Sequence, residues 1–242
     1  MIISHKHKYL FVELPRTGTT AIANELVEKY DGERILHKHA HYDDFLAQAS
    51  EEEKGYFTFS CIRNPLDRAL TRYYKLKSSY QNPSWQIPKF KRENRKVSLQ
   101  SYYLLHQYKY IQRKNPSFSQ YILRYYFFPY DDWSQKQHKQ FDYIIRFENL
   151  NEDFQEALRQ IGIAPVRSLP HVNKSPGKSE SWDELISSPR AIKRIKHVFG
   201  PYLLKWGYSL PPEWGEIKIS FLTKLELAVL NFFRRLYWRF LK

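Results

Sequence analysis

Apolar positions along the chain fall into short β-prone runs that alternate with stretches of helical period. Tyr9–Leu14 (YLFVEL) is apolar throughout most of its length and is closed by Pro15; a turn containing Gly and Thr follows. Ala21–Tyr30 then puts Ile22, Leu26 and Val27 on one side and its charges on the other, which predicts an amphipathic helix. Asp31-Gly32 marks the turn out, and Arg34–Leu36 reads as a short second strand. A helix is expected over Asp43–Ala49 and a strand over Tyr56–Ile62. Arg63-Asn64-Pro65 opens a further helix that runs to Lys77, with proline in the first turn, where its missing N–H costs nothing.

Residues 78–140 change character. They are rich in Tyr, Lys, Arg and Gln and are interrupted by Pro83, Pro88, Pro116 and Pro129, which suggests an insertion with helices over Leu99–Arg113 and Phe118–Tyr126. Phe141–Phe147 (FDYIIRF) returns to strand pattern, and Asn149 or Asn151 stands where it can cap a helix to Ile161. A polar loop, SLPHVNKSPGKSESW, separates Pro165 from a helix over Pro189–Phe199. Strands alternating with helices imply an α/β sandwich around a central, mainly parallel sheet, with a helical insertion. From Glu216 to Lys242 an apolar stripe (Phe221, Leu225, Val229, Phe232, Leu236, Phe240) is flanked by Lys224, Arg234, Arg235, Arg239 and Lys242. Such a helix suits a membrane interface, its own domain or a dimer partner, but Lys224 and Glu226 interrupt it too early for it to span a bilayer.

A chain of 242 residues can bury one full core, so the expected organisation is one domain over 1–215, carrying 78–140 as its insertion, followed by the basic helix of 216–242. The single cysteine, Cys61, leaves no internal disulfide framework and no multi-cysteine metal site, which suits a reducing compartment. MIISHKHKYLFVEL offers no apolar stretch long enough for a signal peptide or an anchor, so a cytoplasmic protein is expected, peripheral at the membrane if the tail binds lipid. Lys and Arg number 39 against 25 Asp and Glu, a formal charge of +14 that favours an anionic partner. Nucleic acid, anionic membrane, polyanionic glycan and phosphorylated cofactor all qualify.

Two segments narrow that choice. In PRTGTT, between the first strand and helix, Gly18 allows close backbone approach, Thr19 and Thr20 bring hydroxyls, and Arg16 brings a fixed positive charge. Walker A spacing is absent, which disfavours an ordinary nucleotide triphosphatase. In CIRNPLDRALTRYYKLK, Arg63 lies at a strand end, where it can reach a ligand in the crevice beyond a sheet. Arg68, Thr71 and Arg72 share one side of the helix that follows. Three histidines, His37, His39 and His41, alternate beyond the second strand and would share a side if that strand continued. A general base, a metal site and a plain surface loop are all compatible with that spacing.

Taken together, the two basic segments resemble the cofactor fingerprint of sulfotransferases, most closely the family-2 group that includes the uronyl 2-O-sulfotransferases and bacterial relatives. KHAHYDDF, RFENLNEDF at 146–154 and LPHVNKS at 169–175 carry the resemblance further, from about residue 8 to 210. It implies a P-loop-like three-layer sandwich and the co-substrate 3′-phosphoadenosine 5′-phosphosulfate, without metal. Arg16, Thr17, Gly18, Thr19, Thr20 and Ala21 would then hold the 5′-phosphosulfate. Arg63 and Thr71, in a segment that also matches at Pro65, Arg68 and Tyr73, would hold the 3′-phosphate. The family's His-x-His segment maps onto His37 and His39 and implies His39 as general base, with His37, His171 and Lys174 near the acceptor. Arg16 stands where lysine is more usual and cannot give up a proton, so its part at the leaving oxygen is electrostatic. Thr71 replaces the usual serine and keeps its hydroxyl. The implied acceptor is a hydroxylated glycan, anionic ones included. In the insertion, Trp85, Tyr102, Tyr103, Tyr108 and Tyr110 are placed either to stack on sugar rings or to fill a core, and Lys89, Lys91, Arg92, Arg95 and Lys96 could hold a polyanion. The competing readings are a P-loop kinase, which requires magnesium and a nucleoside triphosphate, and a basic nucleic-acid-binding module. The module is disfavoured because the distinctive residues cluster in strand-end loops, so no nucleic-acid partner is expected.

Overall fold

The apolar run that opens the chain becomes the middle of a five-stranded sheet. The strands are β1 (Ile2–Ser4), β2 (Tyr9–Val12), β3 (Glu33–Arg34), β4 (Phe57–Ile62) and β5 (Tyr143–Arg146), in the spatial order β3-β1-β2-β4-β5. β2, β4 and β5 run parallel, with Phe11 opposite Phe59 and Phe59 opposite Tyr143; β1 is antiparallel to both β2 and β3. In chain order the helices are α1 (Thr19–Lys29), α2 (Tyr42–Leu46), α3 (Glu51–Lys54), α4 (Pro65–Lys77), α5 (Leu99–Lys114), α6 (Phe118–Tyr125), α7 (Leu150–Ile161), α8 (Pro189–Lys205) and α9 (Phe221–Phe240). The computed structural model describes residues 1–78, 83–84, 88, 99–131, 140–170 and 181–240. Two compact units make it up: Met1–Asn64 with Asp132–Lys174, and Pro65–Asp131 with Ser175–Lys242.

Alternation along the strands builds the first unit. Ile2, Tyr9, Phe11, Phe59, Cys61 and Ile145 point to one face, where Ile22, Ala23 and Leu26 of α1 and Phe154, Ala157 and Leu158 of α7 cover them. Ile3, Leu10 and Val12 point to the other, against Tyr42 and Phe45 of α2. Helix, sheet and helix therefore form three layers around a mostly parallel sheet, the α/β architecture expected from the alternation. Arg167 clamps the outside of α1, donating to both oxygens of the buried Glu25 at 2.9 and 2.8 Å.

Several boundaries differ from the sequence expectation, each for a local reason. The MIIS run is too short to read as a strand, yet pairing with β2 buries it as β1. β3 ends at Arg34, before the left-handed turn at Leu36 (φ 54°), so the histidines beyond it do not alternate on a strand. The helix expected over 43–49 stops at Leu46, because Ser50 starts a new one. The Ser50 hydroxyl accepts from the Glu53 amide, and the Glu53 carboxylate accepts from the Ser50 amide. Neither asparagine caps α7 with its side chain: Asn149 makes no capping bond, and Asn151 accepts from the Leu169 amide at 3.0 Å. α8 continues past Phe199 through Gly200 and Pro201 to Lys205, because Tyr202 and Leu203 are buried by it.

The second unit is helical around Leu66, Leu70, Tyr73, Phe118, Tyr121, Phe199 and their neighbours. Most of its aromatics serve this core: Tyr73 donates to the Pro116 carbonyl at 2.7 Å and Tyr121 to the Gln107 side chain at 2.9 Å. Tyr102 and Tyr103 stay close to half exposed on α5. Trp85 and the basic residues Lys89, Lys91, Arg92, Arg95 and Lys96 lie outside the described residues. Among the described residues no helix is long and apolar enough to cross a membrane.

Cys61 sits next to the last residue of β4 with no exposed surface. Burial pushes its thiol well above the usual cysteine range, and the Asp153 carboxylate adds to the effect. A thiol held protonated and covered is a poor nucleophile. Native protein is therefore expected to leave Ellman's reagent unreacted, releasing one equivalent only in denaturant; stoichiometric reaction of the native chain would contradict this packing.

Candidate active site

Three pieces of the first unit converge at the carboxyl ends of its parallel strands: the β2–α1 loop, the segment before α2 and the end of β4 with the turn after β5. The loop is shaped by its own residues. Thr17 and Thr19 both donate to the Leu14 carbonyl, at 3.0 and 3.1 Å, so two buried hydroxyls fold the chain back on the end of β2. Thr19 is one of the two hydroxyls read from the sequence as donors to an anion, and in this conformation it shares with Thr17 the work of holding the loop. Thr20 lies on the half-exposed side and accepts from Lys38 Nζ at 3.2 Å. Arg16 is exposed and left-handed (φ 67°), a conformation costing a non-glycine residue about 1–3 kcal/mol. Strain of this kind persists where the surrounding structure imposes it.

Gly18 is the N-cap of α1, also left-handed (φ 82°). A Cβ on it would stand 2.8 Å from Cδ2 of Phe147, closer than real carbons approach. Glycine is thus required twice, for its φ and for its missing side chain. The first turn of α1 carries no acidic residue, so the helix itself brings no carboxylate to the positive end of its dipole. Ala21 is buried directly behind it, its amide donating to the Gly18 carbonyl at 3.2 Å.

Phe147 reaches a second basic element. The Arg63 guanidinium, at the end of β4, lies over the Phe147 ring at 3.9 Å from its centroid. One ring therefore contacts the Gly18 turn and orients Arg63, which ties the two sequence motifs together through a residue that neither contains. Glu148 next to it accepts from the Asn64 amide at 2.7 Å and so anchors the chain as it leaves β4. Beyond Asn64 the motif continues into the second unit, where Thr71 is buried on α4 and Arg68 donates to the Tyr130 hydroxyl at 2.8 Å.

Of the three histidines, the half-buried His39 is the one whose ring is bonded to the end of β2. It is left-handed (φ 66°), and its Nδ1 lies 2.8 Å from the backbone carbonyl of Glu13, one residue beyond β2. A carbonyl can only accept, so Nδ1 carries the proton and the neutral ring has its lone pair on Nε2. His37 is exposed. His41 precedes α2, its amide donating to the Asp44 carboxylate at 3.0 Å, a helix-start duty. Among the described residues no three or more His, Cys, Asp or Glu come together as a metal site. His171 and Lys174 lie outside the described residues.

Lys38, Phe147 and the Glu13 carbonyl were not singled out by sequence. Phe147 reads as the last apolar position of a strand, and a backbone carbonyl has no residue signature. Lys38 does lie in the motif-bearing segment, next to His39, and its charge was available to be read.

The model of the sulfotransferase family matches residues 1–200 of the chain, which takes in both basic elements, the histidine segment and β5 with α7. No curated protein and no solved structure matches the chain. A strand-to-helix loop with a glycine N-cap, an arginine at the end of the next parallel strand and a match over most of the length lead to one assignment: the chain belongs to sulfotransferase family 2 and is a sulfuryl-transferring enzyme.

Proposed function

We propose that the enzyme transfers the sulfuryl group of 3′-phosphoadenosine 5′-phosphosulfate to a hydroxyl of a carbohydrate acceptor, with His39 as general base. The observation that carries the reading is the bond from His39 Nδ1–H to the Glu13 carbonyl, 2.8 Å long. It leaves Nε2 as the accepting nitrogen of a ring tethered to the strand that also carries the anion loop. The glycine turn suits the 5′-phosphosulfate: its close-packed backbone and the start of α1 favour an anion, and Arg16 adds charge beside it. Arg63 is assigned to the 3′-phosphate, the part that the family resemblance gives it.

In the proposed step the acceptor oxygen attacks sulfur and its proton passes to His39 Nε2. The bond from sulfur to the 5′-phosphate oxygen breaks, and that oxygen leaves with the electron pair. Its growing charge is stabilised by Arg16, by the amino end of α1 and by Lys38, which unlike Arg16 has a proton to yield.

Titration of the full chain with 3′-phosphoadenosine 5′-phosphate, without added metal, tests the co-substrate. Saturable binding is expected, and Arg63→Ala is expected to weaken it roughly ten- to a hundredfold, the worth of a charge-assisted bond to phosphate. Equal binding by the variant, or preference for a nucleoside triphosphate with magnesium, would refute the reading.

A further inference from the structure

α9 turns its polar edge to its own unit and its apolar side outward. Thr223 is buried and bonded to His197 Nδ1 at 3.2 Å; Glu226 pairs with His197 Nε2 at 3.3 Å; Arg234 donates to the Pro129 carbonyl at 3.1 Å. Phe221, Leu222, Leu225, Phe232 and Phe233 each keep more than half their surface exposed. Docking through the helix's own unit therefore leaves most of the apolar stripe uncovered.

The charges on α9 decide what covers it. Its charged residues are Lys224, Glu226, Arg234, Arg235 and Arg239, and the one acid is already engaged by His197. A second copy would bring like charges together, on chains that each carry +14. Nucleic acid or a polyanionic glycan would satisfy the cations and leave the phenylalanines in water. An anionic bilayer satisfies both, accepting aromatic and aliphatic side chains at the acyl boundary and basic ones at the headgroups.

A second apolar element adjoins the first. Phe127 and Phe128 follow α6 and are at least half exposed. They border a cleft of about 1020 Å³ that is also lined by Arg190, Arg194 and Arg234, so the loop and α9 meet at one arginine-rich opening. Arg194 fixes the loop by donating to the Tyr126 carbonyl at 2.9 Å and lying over Phe127 at 4.9 Å. The family match ends at residue 200, before α9 begins.

We propose that α9 and Phe127–Phe128 form a membrane-docking surface that lies flat on anionic phospholipid. Flotation of the full chain with phosphatidylcholine vesicles, with and without phosphatidylserine, tests it. Binding is expected to require phosphatidylserine and to fall as salt rises. Arg235→Ala is expected to weaken partitioning roughly fivefold, the worth of one headgroup contact. The double variant Phe232→Asp/Phe233→Asp is expected to lose binding at least roughly tenfold with an unchanged melting temperature, since both side chains are exposed. Three results would overturn the proposal: no binding to anionic vesicles, full binding by the double variant, or heparin binding without vesicle binding. So would a concentration-dependent dimer that the double variant abolishes in protein that ignores vesicles.

Discussion

His39→Ala is expected to lower the turnover of sulfuryl transfer by roughly 10²–10⁴-fold, the usual contribution of a positioned general base. Binding of 3′-phosphoadenosine 5′-phosphate should stay within about twofold of wild type, because His39 is assigned to the acceptor proton and not to the nucleotide. The contrast between the two readouts separates a base from a structural histidine. His39 is left-handed and its ring is bonded to the Glu13 carbonyl, so a purely structural role would loosen the loop and weaken nucleotide binding as well. Single-turnover rates for His39→Ala and His39→Gln, measured beside calorimetric titrations, decide the matter. Turnover close to wild type in both variants would sink the assignment.

Placement that follows from residue type is legible in the sequence; placement that depends on backbone conformation is not. Gly18 between an apolar strand and an amphipathic helix announces a tight turn, and the turn is there with φ 82°. Arg63 at a strand end is likewise readable, because the apolar run before it has strand length. The tautomer of His39 depends on a carbonyl at Glu13, twenty-six residues away, and on a left-handed backbone that no histidine signals. Phe147 was hidden for another reason: an aromatic at the end of FDYIIRF looks like one more core position, whereas its ring lies under Arg63. For α9 the period of the stripe revealed an amphipathic helix but not which side would meet its own unit. Thr223 and Glu226 settled that by bonding His197, a polar attachment that outweighs the burial periodicity leads one to expect. β1 and the passage of α8 through Pro201 were lost to the same cause, non-local burial overriding local preference.

Phe147 touches both basic motifs, so the Gly18 turn and Arg63 should fail together. Gly18→Ala places a methyl group 2.8 Å from Phe147 Cδ2 and forces alanine into φ 82°. The conformational cost is about 1–3 kcal/mol, and overpacking adds about 1–3 kcal/mol. For a chain of this size the sum corresponds to a melting temperature lower by roughly 5–15 °C. Displacing the ring also removes the platform under the Arg63 guanidinium, so binding of 3′-phosphoadenosine 5′-phosphate should fall by roughly tenfold or more even below the melting transition, at the low end of a lost charge-assisted bond. Combining Gly18→Ala with Phe147→Leu separates the two causes. If the ring contact dominates, the double variant should be more stable than the summed single effects by about 1 kcal/mol, a coupling typical of residues in contact. If the positive φ dominates, the effects add, because leucine at 147 does nothing for the backbone at 18. A Gly18→Ala protein with wild-type melting and wild-type nucleotide binding would show that the turn is neither close-packed nor coupled to Arg63.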